Sequence, residues 1–159
     1  MNMADYNNFK AASLTAAIRA IVKAGGSSDR EADLVSTNLV EANLKGHDSH
    51  GVGMIPRYID SIKEGGLAVN AHVSITLDAN ALLTLDGNKA YGQVAGFEAM
   101  ELAAERAKRH GVCVMGLSNA HHVGRIGREA TLLDRIDVAR DHADTVRVMS
   151  LKVGLHQIG

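Results

Sequence analysis

Two short apolar runs bracket one long helical pattern in this sequence, and that arrangement leaves few folds open. Ala81 to Leu85 reads as a strand ended by Asp86-Gly87-Asn88. Gly92 to His110 reads as a helix, with Val94, Phe97, Met100, Ala104 and Ala107 on its buried face and abundant alanine, the best helix former. Gly111 stops it, and Val112-Cys113-Val114-Met115 follows as a short, fully buried strand. Strand, helix, strand predicts a βαβ unit with a right-handed crossover and a parallel strand pair, hence an α/β fold.

Helices precede this unit. Leu14, Ala17, Ile18, Ile21 and Val22 recur at helical spacing between about Tyr6 and Ala24, and Gly25-Gly26 ends the pattern. Ser28 followed by Glu31 predicts a capping box. The second helix then runs to about Lys45, with Ala32, Val35, Leu39 and Ala42 on one face. A short turn between the two predicts antiparallel packing. Pro56 suits the first turn of a third helix, through Tyr58, Ile59 and Ile62 to Gly65-Gly66. Val73, Ile75 and Leu77 alternate with Ser74 and Thr76, which predicts a half-buried strand before a turn at Asp78-Ala79-Asn80. From Thr131 onward Asp134, Arg135, Asp137, Arg140, Asp141, Asp144 and Arg147 crowd a stretch with no apolar stripe, and no buried strand is evident there.

At 159 residues the chain suits one ordinary domain. Aromatic residues are only 3%, so the core must come from Ala, Val, Ile, Leu and Met. The formal net charge of -1 favours neither nucleic acid nor an anionic membrane as partner. No apolar run approaches the roughly 20 residues that span a bilayer. The single cysteine, Cys113, excludes an internal disulfide and fits a reducing compartment. The first residues lack the layout of a signal peptide, so a soluble cytoplasmic protein is expected.

Histidine is the unusual count, at eight. Four fall in two glycine-flanked segments, Gly46-His47-Asp48-Ser49-His50-Gly51 and Asn119-Ala120-His121-His122-Val123-Gly124. The second follows the strand at Val112, and α/β sheets place ligands beyond the carboxyl ends of their strands. Oxidising an alcohol needs a base for the hydroxyl proton while a hydride leaves, and histidine titrates in the useful range. Gly124 and Arg125 could open a helix beside a phosphate or carboxylate, which arginine binds with two parallel hydrogen bonds. Against this stand plainer readings. A loop histidine is usually a surface or hydrogen-bonding residue, and Cys113, Met100 and Met115 read as core. His47, Asp48, His50, His121 and His122 are also possible metal ligands, but no Cys pair or His-Glu-x-x-His helix supports a metal-dependent hydrolase. The dinucleotide fingerprint is absent: Gly51-Val52-Gly53 is followed by Met54-Ile55-Pro56, without the third glycine.

The segment from Gly46 to Tyr58 resembles the type-2 malate/L-lactate dehydrogenase family, which includes hydroxycarboxylate, ureidoglycolate and sulfolactate dehydrogenases. The resemblance continues through Leu85-Asp86-Gly87, Tyr91-Gly92-Gln93-Val94-Ala95, Ala99-Met100 and His110-Gly111-Val112. It ends at Asn119 to Gly127, so it covers about residues 8 to 130. It implies an α/β, non-Rossmann fold, with N-terminal helices followed by a βαβ-containing sheet. It implies an NAD(P)-dependent 2-hydroxy-acid dehydrogenase, using NAD or NADP, cytoplasmic and homodimeric; for want of a ligand motif, no metal is expected.

Carried over residue by residue, the proton-transferring histidine falls on His122. His50 lies at the cofactor and substrate, Gly124, Arg125 and Ile126 match a cofactor-contacting stretch, and Ser49 and Tyr58 fall on the substrate side. Many members carry an arginine where this chain has Met54. Members are also about twice as long, so residues 1–130 are expected to be the N-terminal part of such a domain and 131–159 a divergent tail of the kind a frameshift or truncation leaves. The alternative function is a non-catalytic fragment of such an enzyme.

Overall fold

The structure, a computed structural model, describes residues 8–125 and the backbone of residues 147–152. Three helices come first, α1 (Ala11–Ala24), α2 (Asp29–Leu44) and α3 (Ile55–Lys63). A hairpin of β1 (Ser74–Ala79) and β2 (Leu82–Asp86) follows, then α4 (Gly92–His110), β3 (Val112–Ser118) and β4 (Arg147–Lys152). The sheet order is β1-β2-β3-β4, with β1 antiparallel to β2 and the β2–β3 and β3–β4 pairs parallel. The mixed α/β class and the parallel pair around α4 are those expected from the sequence.

The helical end is built by periodicity. Ile18 and Val22 on α1 pack with Ala32, Val35 and Leu39 on α2 and with Ile55 and Tyr58 on α3. Arg19 reaches Asp29 and Asp33, and Lys23 reaches Asp29 at 2.6 Å, so the two helices run past each other in opposite senses. Ala17 and Ile21, expected inside, are exposed, because α1 is covered on the Ile18–Val22 line only.

Half of the expected capping box forms. Ser28 accepts from the Glu31 backbone N–H at 3.3 Å. The Glu31 side chain, instead of reaching back, turns inward, where it is only 3% exposed. Its carboxylate accepts from Ser27 Oγ at 2.6 Å and from the Asn70 N–H at 3.0 Å, tying the α3–β1 connection to the start of α2. Removing it strands two donors. Glu31→Ala is therefore expected to cost about 2 kcal/mol in urea unfolding, with Glu31→Gln losing less than half of that.

α4 joins the two halves of the core. Tyr91 at its N-cap and Val94 belong to the helical cluster. Farther along, Ala99, Met100, Ala103 and Ala107 pack on Leu83, Leu85, Cys113 and Met115 of the sheet. Cys113 is fully buried and burial raises its thiol pKa, so it is a core residue, as read from its neighbours. Phe97 is only half-buried, beneath the Arg30 guanidinium.

Three strand readings need correction. β3, expected to be fully buried, buries Cys113 and Met115 while Val112 and Val114 are half-buried. β1 forms, but Ile75 and Leu77 are 48% and 46% exposed, not half-buried. β1 is the outer strand, its register slips between Ile75 and Leu77, and α4 lies over β2 and β3 instead. The turn centres on Asn80, at φ 55°. Conversely, the charged stretch read as lacking a strand supplies β4, paired along β3 from Val112↔Arg147 to Leu117↔Lys152. Its apolar residues Val148, Met149 and Leu151 form a run too short to stand out directly after the charged stretch, so hydropathy did not signal it.

Candidate active site

Each histidine loop is held by groups outside it. The first leaves α2 as two short 3-10 turns, Asp48–His50 and Val52–Met54. Asn43 near the end of α2 organises both: its Nδ2 donates to Asp48 Oδ1 at 2.6 Å and its Oδ1 accepts from the Val52 N–H at 2.8 Å. The second loop extends β3. It runs beside the β2–α4 connection, where Ser118 O accepts from Gly87 N (2.7 Å), Asn119 O accepts from Lys89 N (2.7 Å) and His121 N donates to Ala90 O (2.9 Å). Gly92, opening α4, lies directly against the His121–His122 peptide; a Cβ there would overlap His121 O and the His122 carbonyl.

These supports bring the loops together. His50 Nδ1 and His122 Nε2 are 3.0 Å apart, although 72 residues separate them in the chain. The other ring nitrogen of His122, Nδ1, lies 3.2 Å from the Tyr58 hydroxyl on α3. Tyr58 Oη in turn accepts from Gln93 Nε2 on α4 at 2.7 Å. The result is a continuous relay, His50–His122–Tyr58–Gln93, from a part-exposed loop to the core, where Tyr58 and Gln93 are 1% and 2% exposed. His121 points elsewhere: its Nε2 meets Ser61 Oγ at 3.1 Å and its ring stands edge-on to Tyr58. Among the described residues, Gln93 Oε1 and His121 Nδ1 are buried without a hydrogen-bond partner.

Electrostatics disfavour the charged forms of His122, His121 and Tyr58. Burial, with further repulsion from His50, His121 and Arg57, pulls His122 down to about 4. Burial also lowers His121, with Arg57 adding to it. Burial raises the Tyr58 phenol, partly offset by the Gln93 hydrogen bond. At neutral pH His122 is therefore a neutral imidazole beside a phenol that keeps its proton, an arrangement able to accept a proton.

A stability consequence follows. The unfolded chain protonates His122 near the ordinary imidazole value of 6.5 and the folded chain only near 4, so the unfolded state binds more protons between them. Stability from this group is full above about pH 6.5 and is lost as pH falls toward 4. Urea midpoints measured across that window should drop with acid, and His122→Asn should flatten the drop; an unchanged slope in the variant would contradict the buried, neutral imidazole.

Of the residues singled out from sequence, His50, Tyr58 and His122 meet directly. Ser49 lies exposed on the same turn as His50 and Arg125 is half-buried beyond His122, neither in the relay. Gly124 takes φ 83°, with Gln93 Nε2 within 3.5 Å of where a Cβ would project. Val123 to Arg125 are irregular, so Gly124 and Arg125 open no helix among the described residues, and Ile126 lies outside them. Gln93, Asn43 and Ser61 were missed. Gln93 carried one signal, a polar residue in the first turn of an otherwise small, apolar helix face.

Comparison with known proteins places this geometry. The signature of the malate/L-lactate dehydrogenase family matches residues 9–138. Hydroxycarboxylate dehydrogenase B of Escherichia coli (strain K12) is 48% identical over 121 residues, 76% of this chain and 34% of that protein. Malate dehydrogenase of Pyrococcus abyssi is 35% identical over 72% of this chain and 32% of its own. Among solved structures, malate dehydrogenase from Pyrococcus horikoshii OT3 superposes with a TM-score of 0.77 at 30% identity, covering 82% of this chain and 37% of that one. Sulfolactate dehydrogenase from Methanocaldococcus jannaschii gives 0.73 at 35% identity, covering 77% and 36%. The chain thus spans about a third of the length of the relatives it matches. With the two histidine loops, the βαβ unit and these matches in agreement, the chain belongs to the malate/L-lactate dehydrogenase family.

Proposed function

We propose that this chain carries the proton-transfer half of an NAD(P)-dependent 2-hydroxycarboxylate dehydrogenase, in which His122 takes the hydroxyl proton of the substrate. The observation that supports it most is the relay itself: a neutral, part-buried imidazole wired on both nitrogens, beyond the carboxyl end of a parallel strand. The relatives are named for malate, sulfolactate and hydroxycarboxylates, which share a hydroxyl next to a carboxylate. His50 faces the same point from the other loop and orients the substrate oxygen. Tyr58 holds the His122 ring from behind, and Ser49 lies on the substrate side of its turn. Arg57, whose charge is felt at Tyr58, His121 and His122, supplies the countercharge for the carboxylate that Met54 does not.

A bound nicotinamide, NAD or NADP, would supply the hydride acceptor. The residues that would hold it are His50, Gly124, Arg125 and Ile126. The bare backbone of Gly124 leaves room at Gln93 that a side chain would fill, which suits close approach of a flat ring. The whole enzyme is taken to work as a cytoplasmic homodimer. The test is fluorescence titration of this chain with NADH and NADPH, followed by a turnover screen over malate, lactate and sulfolactate at the full family length. Saturable micromolar binding and turnover of at least one acid are expected. Turnover at full length without binding to this chain would favour the non-catalytic fragment, and neither would refute the reading.

A further inference from the structure

We infer that Gln93 is a positioning residue that sets the tautomer of His122 through Tyr58, and that rotation of its carboxamide switches His122 between proton donor and proton acceptor at Nε2. This rests on the reading of His122 as the proton carrier and adds a residue to it.

The argument is a count of protons. The Gln93 amide donates to Tyr58 Oη at 2.7 Å, so the single phenolic proton of Tyr58 is free to point at its other neighbour, His122 Nδ1, at 3.2 Å. An imidazole that accepts at Nδ1 and is neutral carries its proton on Nε2. That proton then faces His50 Nδ1 at 3.0 Å, which must accept, leaving the His50 proton on its own Nε2. One amide, buried on the first turn of α4, thus dictates three proton positions along the relay, on Tyr58, His122 and His50.

In this state His122 Nε2 has no lone pair for a substrate hydroxyl. The competent base has its proton on Nδ1, donating to Tyr58 Oη. Tyr58 must then send its own proton elsewhere, and the carboxamide oxygen of Gln93 is the acceptor: it is buried, without a partner among the described residues, and on the same side chain. Turning the amide by half a rotation exchanges Nε2 for Oε1 at Tyr58 and reverses every bond of the relay. When the substrate hydroxyl then gives its proton to Nε2, His122 becomes an imidazolium with Nδ1–H still on Tyr58. Deprotonation at Nε2 reverses the step. Neither orientation satisfies both ends of the amide, so burial does not lock one in place. A methionine or a carboxylate could not serve, because the exchange needs a donor and an acceptor on one planar group.

The test reads the tautomer directly. Nitrogen-15 NMR of histidine-labelled chain distinguishes protonated from bare ring nitrogens. The wild-type chain is expected to show one dominant His122 tautomer, Nε2–H, above pH 6. Gln93→Met should collapse it to a mixture. Gln93→Glu should move the proton to Nδ1, since a carboxylate can only accept from Tyr58. Tyr58→Phe serves as a second variant, with the same loss of a single tautomer and dispersed amide spectra as the check on folding. An unchanged His122 pattern in folded Gln93→Met would overturn the inference. The underlying proton-carrier reading fails separately: there the tautomer would respond to Gln93, yet turnover at full length would survive loss of His122.

Discussion

His122→Ala, assayed at the full family length, is expected to lower kcat by about 10²–10⁴-fold, the usual contribution of a positioned general base, while cofactor affinity changes little. The reason is local. His122 is the member of the relay with both nitrogens engaged, one toward His50 and one toward Tyr58. It is also the one whose pKa is pulled down to about 4, which keeps it neutral when the substrate arrives. On the proposed function, truncation removes the proton acceptor; it also leaves the Tyr58 hydroxyl and His50 Nδ1 without their partner. Below neutrality the wild-type oxidation rate should fall only as pH nears the lowered value, and the variant should lose that limb of the profile. Turnover within tenfold of wild type would sink the assignment of His122.

Gly92→Ala is expected to destabilise the fold by about 2 kcal/mol and to loosen the second histidine loop. The sign makes the test informative. Replacing glycine by alanine in an open helix normally stabilises it by up to about 1 kcal/mol. Here the new methyl group would strike His121 O and the His122 carbonyl, which are backbone atoms with no rotamer to yield. They are also anchored, since His121 N donates to Ala90 O at 2.9 Å. The strain would be relieved by moving the loop, which draws His122 away from His50. Urea unfolding reads the first effect, and the line width of the His122 ring resonances reads the second. A neutral or stabilising result would mean that the loop does not rest on α4 in this way.

Much of the fold was legible because local patterns carried it. α4 was read from Gly92 to His110, and those are its bounds, since alanine-rich periodicity and a glycine stop act within the segment itself. The predicted buried face of α2 is the observed one, because Ala32, Val35, Leu39 and Ala42 share one stripe. β1 shows where local reading fails. Its alternation was real, but burial depends on what lies over a strand, and α4 covers its neighbours. The Glu31 capping partner fails in the same way: at short range it completes a box, yet in the fold it meets Ser27 and Asn70, the second of them distant in sequence.

The site divides along the same line. Both histidine loops could be found from sequence, because their glycines and the secondary elements that end beside them are local features. By itself the sequence determined the α/β class, the helices, the two loops and the family they point to. Only the tertiary structure decided that His50 and His122 touch, that Tyr58 sits behind them and that Gln93 completes the relay. Hydrogen bonds across 72, 64 and 35 residues leave no periodic trace. They arise when α2, α3, α4 and β3 pack into one core, and a polar side chain such as Gln93 acquires its meaning only from what that packing sets opposite it.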